Sequence, residues 1–174
     1  MEIYGYKCFN SNGTNRYGKR IEEGKIYTTS KPIKYGNDGH GHHFCENLED
    51  TFRFFVSDDS NICEDVCICK VRGFGEIHER EDDIVVEIDD GYYGLYAAEN
   101  LEIIKILTRE EIIEYGLNLY PERAEKFVSG LKLSDDEIEL FKERYKNSYR
   151  VLDAISYYQL NDKEVYSRRI GLKH

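Results

Sequence analysis

The sequence predicts an α+β fold. A β-rich part over residues 1–107, mainly antiparallel sheet with one short helix near 47–56, precedes a helical part over 108–174 packed on it, all in one domain. Three observations predict it. Short apolar or alternating runs separated by Gly, Asn and Asp clusters fill the first part, the pattern of strands and turns. At Thr108 the apolar spacing becomes that of amphipathic helices, and two capping-box sequences appear. No linker, repeat or low-complexity tract separates the parts, and the apolar helix stripes need a surface, which the neighbouring sheet supplies.

Met1 to Cys8 reads as a strand, followed by a turn cluster from Asn10 to Asn15 whose side chains bond locally or tolerate positive φ. Gly24 to Thr29 reads as turn then strand. Lys34 to His43, with Gly36, Gly39 and Gly41, reads as an exposed loop. Leu48, Thr51, Phe52 and Phe55 stand at i, i+3, i+4 and i+7 and predict a helix, with Asn47 as its cap and Glu49 and Asp50 favouring its dipole. Asp65 to Val71 alternates as a strand does, and Gly73-Phe74-Gly75 is a turn or bulge. Ile84-Val85-Val86 is strand-like, Asp89-Asp90-Gly91 is a turn, and Tyr92 to Ala98 and Glu102 to Leu107 are further strands.

The helical part opens on Thr108-Arg109-Glu110-Glu111, a capping box, with Ile112, Ile113, Leu117 and Leu119 as apolar face. Pro121 opens a second helix, where its missing N–H costs nothing. Its stripe is Ala124, Phe127, Val128 and Leu131. Ser134 to Glu137 is a second capping box, followed by Ile138, Phe141, Tyr145, Leu152 and Ile155 at helical spacing. The tail from Lys163 to His174 is basic.

The net charge is −10, which repels phosphate backbones and argues against direct nucleic-acid binding. It suits solubility, or attraction to a basic partner surface. No apolar run has the ~20 residues of a membrane span, and the polar, aromatic start lacks the regions of a signal peptide. These features predict a cytoplasmic protein. Its five cysteines, Cys8, Cys45, Cys63, Cys67 and Cys69, are then expected as reduced thiols, mostly buried. Fifteen Tyr and eight Phe with no Trp suit half-buried sheets and interfaces alike.

The densest polar cluster is His40, His42, His43 and Cys45. In an extended segment His43 and Cys45 share a face, and with Cys67 and Cys69 they make a conceivable zinc quartet. No Cys-x2-Cys knuckle or His-Glu-x2-His helix supports it, so loop histidines and core thiols are expected, with no metal and no cofactor. No nucleophile elbow and no phosphate-binding Gly-Lys-Ser/Thr loop is present. Glu76, Glu79, Glu81, Asp82 and Asp83 read as a solvated acidic face.

Taken in order, Tyr6-Lys7-Cys8-Phe9, Glu23-Gly24-Lys25-Ile26-Tyr27, His43-Phe44-Cys45-Glu46-Asn47 with Asp50 and Phe55, and Val71-Arg72-Gly73-Phe74-Gly75 resemble a family of small bacteriophage and prophage proteins over residues 4–107. That family carries no established activity and transfers no catalytic residues. A more distant likeness is to the ADP-ribosyltransferase fold. There Gly41 to Phe55 is similar to the strand that leads into a helix, and Leu95 to Ile104 to the late strands. This likeness implies a nucleotide pocket lined by Tyr6, Lys7 and His43. Gly91 to Gly94 hold no carboxylate, so Glu99 or Glu87 stands in as the acid.

The leading expectation is a phage- or prophage-type intracellular protein that binds another protein, with Tyr6, His42, His43 and Phe55 as the residues to probe. The alternative is an ADP-ribosyltransferase-like nucleotide-binding protein or enzyme using Lys7 and Glu99.

Overall fold

The computed structural model describes residues 1–36, 39–56, 62–80 and 94–161. The fold is α+β, with the β-rich region first and the helical region second. The chain forms two compact units. Met1–Phe55 with Val66–Leu107 makes a β unit, and Val56–Asp65 with Thr108–His174 makes a helical unit. The segment Val56–Asp65 thus belongs to the helical unit although it precedes part of the β unit.

Among the described residues the β unit has five strands: β1 (Glu2–Phe9), β2 (Ile26–Thr28), β3 (His42–Cys45), β4 (Cys67–Glu79) and β5 (Leu95–Ile106). The pairings between these strands are antiparallel. β1 pairs with β4 along its whole length and meets β3 at Tyr6↔Cys45. β5 pairs with β4 on one side and with β3 and β2 on the other. The ring β1–β4–β5–β3 therefore closes on itself as a small barrel.

Side-chain alternation sets what lies inside. Phe9, Phe44, Cys69, Val71, Ala98, Leu101 and Ile103 form the buried cluster, joined by Ile3, Tyr27, Tyr96 and Ile77 at its margin. Closing so narrow a ring needs backbone contact without Cβ atoms. At Gly5 a Cβ would sit 2.2 Å from the Cys45 carbonyl oxygen, and at Gly73 it would sit 2.6 Å from the Phe44 ring. Both glycines are thus steric requirements of the closure.

Several expectations need correcting. Gly73-Phe74-Gly75 does not end a strand. It lies within β4, whose register against β5 shifts between Phe74 and Ile77, with Gly75 at φ 84°. This is the bulge alternative, and it lets a long strand bend around the barrel. Over the described residues, the strands expected from Tyr92 to Ala98 and from Glu102 to Leu107 are one, β5. The loop expected to run from Lys34 to His43 gives way to β3 at His42. Ile84 to Val86, the turn at Asp89, the acidic run from Glu81 to Asp83 and the tail from Lys163 lie outside the described residues.

The helix expected near 47–56 is a 3₁₀ helix, Leu48–Phe55. The Asp50 N–H donates to the Asn47 carbonyl at 3.3 Å and the Thr51 hydroxyl to the Leu48 carbonyl at 2.6 Å, both three-residue closures. Leu48, Thr51 and Phe52 are buried as the spacing predicts, and Phe55 is half-buried.

In the helical unit α1 (Arg109–Leu117), α2 (Pro121–Gly130), α3 (Asp135–Arg144) and α4 (Tyr149–Ala154) are followed by a π-helical turn, Ile155–Gln159. Both expected capping boxes are present, at Thr108/Glu111 and Ser134/Glu137, and Pro121 stands at the start of α2. The core is aromatic. Phe127 and Phe141 stack at 5.4 Å, and Phe141 and Tyr145 at 6.1 Å. Gly116 lets α1 reach them, since a Cβ there would lie 2.7 Å from Phe127. Leu117 and Leu119, placed on the apolar face by spacing, are only half-buried, because α1 is short and turns its Ile112, Ile113 and Gly116 side inward.

The end of α2 is closed from two distant places. The Cys63 N–H donates to the Gly130 carbonyl at 2.7 Å, and the Lys132 N–H donates to Cys63 at 2.8 Å. Buried Gln159 donates through Nε2 to the Val128 and Leu131 carbonyls at 2.7 and 2.8 Å, and its Oε1 accepts from the Leu133 N–H at 3.0 Å. The carbonyls that a helix leaves without intrahelical partners are satisfied in this way.

Candidate functional site

On β1 the inner face carries Ile3, Gly5, Lys7 and Phe9, so a lysine points where an apolar residue is expected. The inner face of β3 carries His42 and Phe44, opposite Ala98 and Tyr96 of β5. β2 contributes Tyr27, opposite Leu101. Lys7, Tyr27 and His42 are therefore polar side chains on the inside of the barrel, and each is partly buried. The Tyr27 and His42 ring centroids are 6.5 Å apart.

Lys7 Nζ donates to the His43 carbonyl and lies 5.8 Å from the Phe9 ring centroid. Burial pushes the Lys7 ammonium down to about 8. The thiols of Cys45 and Cys8 oppose that fall, and Arg16 adds to it. Burial, followed by the charge of Lys7, pushes His42 down to about 4, so its ring is neutral at physiological pH. The buried Nε2 of His42 and the buried hydroxyl of Tyr27 have no hydrogen-bond partner among the described residues.

The other residues singled out from sequence lie elsewhere. Tyr6 and His43 share the opposite, outer face with Cys45. The His43 ring packs edge-on against Tyr35 at 4.9 Å, and its Nε2 accepts from the Gly36 N–H at 3.2 Å. Burial lowers its pKa first, then Lys7. Burial raises the Tyr6 phenol, reinforced by Glu49. Glu99 accepts from the Glu76 N–H at 3.2 Å and lies against Gly75, so it clasps the β4 bulge. Phe55 ends the 3₁₀ helix. The pocket of Tyr6, Lys7, His43 and Glu99 is thus not assembled on one face.

The conceivable zinc quartet is split in the same way. Cys69 pairs with Lys7 and faces inward, whereas His43 and Cys45 face outward. Among the described residues no group of three or more His, Cys, Asp or Glu is placed to hold a metal ion.

The sequence reading missed a second feature. An open groove of about 500 Å³ runs between α1 and α3, lined by Ile113, Leu117 and Leu140, with charged residues along its rim. Leu140 is 52% exposed. On one side Arg109 forms a two-pronged pair with Glu137 at 2.8 and 2.7 Å and also reaches the Lys132 carbonyl. Arg144 donates to the Leu117 carbonyl at 3.0 Å. Glu110 and Glu114, one turn apart on α1, have no ion-pair partner among the described residues. The signal available in the sequence was Leu140, which stands off the Ile138–Phe141–Tyr145 stripe.

No protein-family model, curated protein or solved structure matches the chain. No helix among the described residues is long and apolar enough to cross a membrane.

Proposed function

We propose that the chain acts by binding another protein, as a phage- or prophage-type adaptor, and that the α1–α3 groove receives an amphipathic helix of that partner. The observation that carries this reading is the groove itself, an apolar floor of Ile113, Leu117 and exposed Leu140 beside Glu110 and Glu114, which have no ion-pair partner among the described residues. Like charges one turn apart destabilise a helix by roughly 0.2–0.5 kcal/mol, and a basic residue from outside relieves that cost. An apolar stripe flanked by Lys or Arg is the matching ligand, read in the helix-in-groove manner. The chain's net charge of −10 favours encounter with such a partner.

The test is affinity capture from bacterial lysate with four proteins: wild type, Leu140→Asp, the pair Glu110→Lys with Glu114→Lys, and Tyr149→Asp as a control on exposed α4. The expected result is a saturable partner retained by wild type and control, lost by the two groove variants, and weakened by salt. Capture indifferent to both groove variants, or no saturable partner, refutes the reading.

A further inference from the structure

A lysine on the inside of a barrel needs an explanation. Buried charges are ordinarily paired with an opposite charge. The chain has 34 acidic residues against 24 basic ones, so carboxylates are plentiful. None of the groups that act on Lys7 is a carboxylate. They are the thiols of Cys8 and Cys45 and the guanidinium of Arg16. The surroundings of His42 and His43 repeat the pattern, since the charged groups acting on His42 are Lys7 and His43, and those acting on His43 are Lys7 and Arg16. The Lys25–Glu22 salt bridge leaves Lys25 5.5 Å from the Tyr27 ring. Among the described residues, the inside of the barrel around Lys7 and His42 is thus a positive spot on which no carboxylate acts.

Its hydrogen-bonding capacity is also unfilled. Lys7 has three donors and uses one on the His43 carbonyl. His42 Nε2 and the Tyr27 hydroxyl are buried and have no partner among the described residues. Leaving such groups unsatisfied is costly; Arg72 Nε on β4 is also buried without a partner among the described residues, but its other guanidinium nitrogens pair with Glu2 and Glu102.

We propose that Lys7, Tyr27 and His42 form a binding site for a small oxyanion, a carboxylate or phosphate group entering at the inner end of the barrel. The ammonium supplies the charge. The phenol and the neutral imidazole, in the tautomer with hydrogen on Nε2, each donate to an anion oxygen. Such charge-assisted bonds are the strong ones. The site lies in the β unit and is independent of any partner in the α1–α3 groove. A group that bears both an anion and an apolar tail suits it best, because Phe9, Phe44 and Ala98 line the same inner face.

The experiment is a titration of the full chain with inorganic phosphate and, separately, with acetate, with chloride as the ionic-strength control. It is read by the NMR resonances of the His42 ring and by melting temperature. Wild type should show saturable His42 shifts with phosphate, acetate or both, an upward move of the His42 titration midpoint, and a raised melting temperature. Which probe saturates identifies the oxyanion. Lys7→Met should abolish all three effects while folding normally, because exchanging a buried unpaired charge for an apolar chain of similar length is seldom destabilising. Tyr27→Phe should weaken binding by about 3–10-fold, the loss of one hydrogen bond. Binding should also decline as pH rises through about 8, where Lys7 loses its proton. The groups facing Lys7 through that range are Cys8 of the same strand, His42, His43 and Cys45 of β3, Cys69 of β4 and Arg16. Shifts that rise linearly with either probe, match chloride and survive both Lys7→Met and Tyr27→Phe overturn the proposal and leave ordered water as the partner of Tyr27 and His42.

Discussion

Replacing Gln159 by Met should be among the most damaging single changes in the helical unit. Met preserves an unbranched chain of similar length, so packing is nearly retained and the effect isolates hydrogen bonding. Three backbone groups lose their partner: the Val128 and Leu131 carbonyls and the Leu133 N–H, all bonded to buried Gln159 at 2.7–3.0 Å. A buried polar group left unsatisfied costs about 1–3 kcal/mol, and two of the three are carbonyls that tolerate it better, so the total is about 3–6 kcal/mol. With a urea slope of roughly 2 kcal/mol/M, the midpoint should fall by about 1.5–3 M. The assay is urea denaturation followed by the helical signal in far-UV circular dichroism. Gln159→Glu serves as the companion. It keeps an acceptor for Leu133 but sets a second acceptor against two carbonyls, so it should be at least as damaging at neutral pH. A shift below about 0.5 M for Gln159→Met would mean that water or a repacked turn satisfies these groups, and the reasoning would fail.

Three further outcomes follow from the geometry. Gly73→Ala should cost about 1–3 kcal/mol by forcing a Cβ into the Phe44 ring; part of that cost should disappear in the double variant with Phe44→Leu, measured as a coupling energy in a double-mutant cycle. Thr108→Ala and Ser134→Ala should each lower helical-unit stability by about 1 kcal/mol in urea melts, while the same change at exposed Ser11 should be silent. Arg109 holds the Glu137 carboxyl below the usual range, so this pair's contribution is complete above the unfolded carboxyl value and is lost as pH falls through the folded one. Glu137→Gln, which retains the capping-box geometry, should therefore cost about 1 kcal/mol at neutral pH, and its stability should converge on that of wild type at acid pH.

The helix starts are the most legible part of the sequence because their physics is local. Thr108 with Glu111, Ser134 with Glu137, and Pro121 each specify a start within one turn of chain. Barrel closure is not local. It depends on β1 meeting both β4 and β3, through a single pair at Tyr6↔Cys45, and on two glycines whose necessity appears only once Cys45 and Phe44 are beside them. The same limit hid the arrangement around Lys7. Both faces of β1 carry apolar residues, Ile3 and Phe9 on one and Tyr4, Tyr6 and Cys8 on the other, so alternation alone does not choose the inner face. Lysine is the residue that ordinarily argues for the outside. Grouping Lys7 with its neighbour Tyr6 therefore followed sequence proximity, whereas the pleat sends adjacent residues to opposite sides. Gly73 and Gly75 likewise read as a turn or a bulge when counted alone, and the register with β5 decides for the bulge.

The passage of Cys63 beside Leu131 has a consequence for how this protein can be divided. The chain leaves the β unit after Phe55, contributes Ile62 and Cys63 to the helical unit, and returns to begin β4. No single cut between residues 107 and 108 releases two complete halves. A fragment starting at Thr108 lacks the Cys63 groups that bond Gly130 and Lys132, and a fragment ending at Leu107 carries Ile62 and Cys63 as apolar side chains with nothing to cover them. Expressed apart, the fragments should be unstable; supplied together as two chains, they should complement each other. The protein is in this sense stitched, one chain passing three times between its β unit and its helical unit.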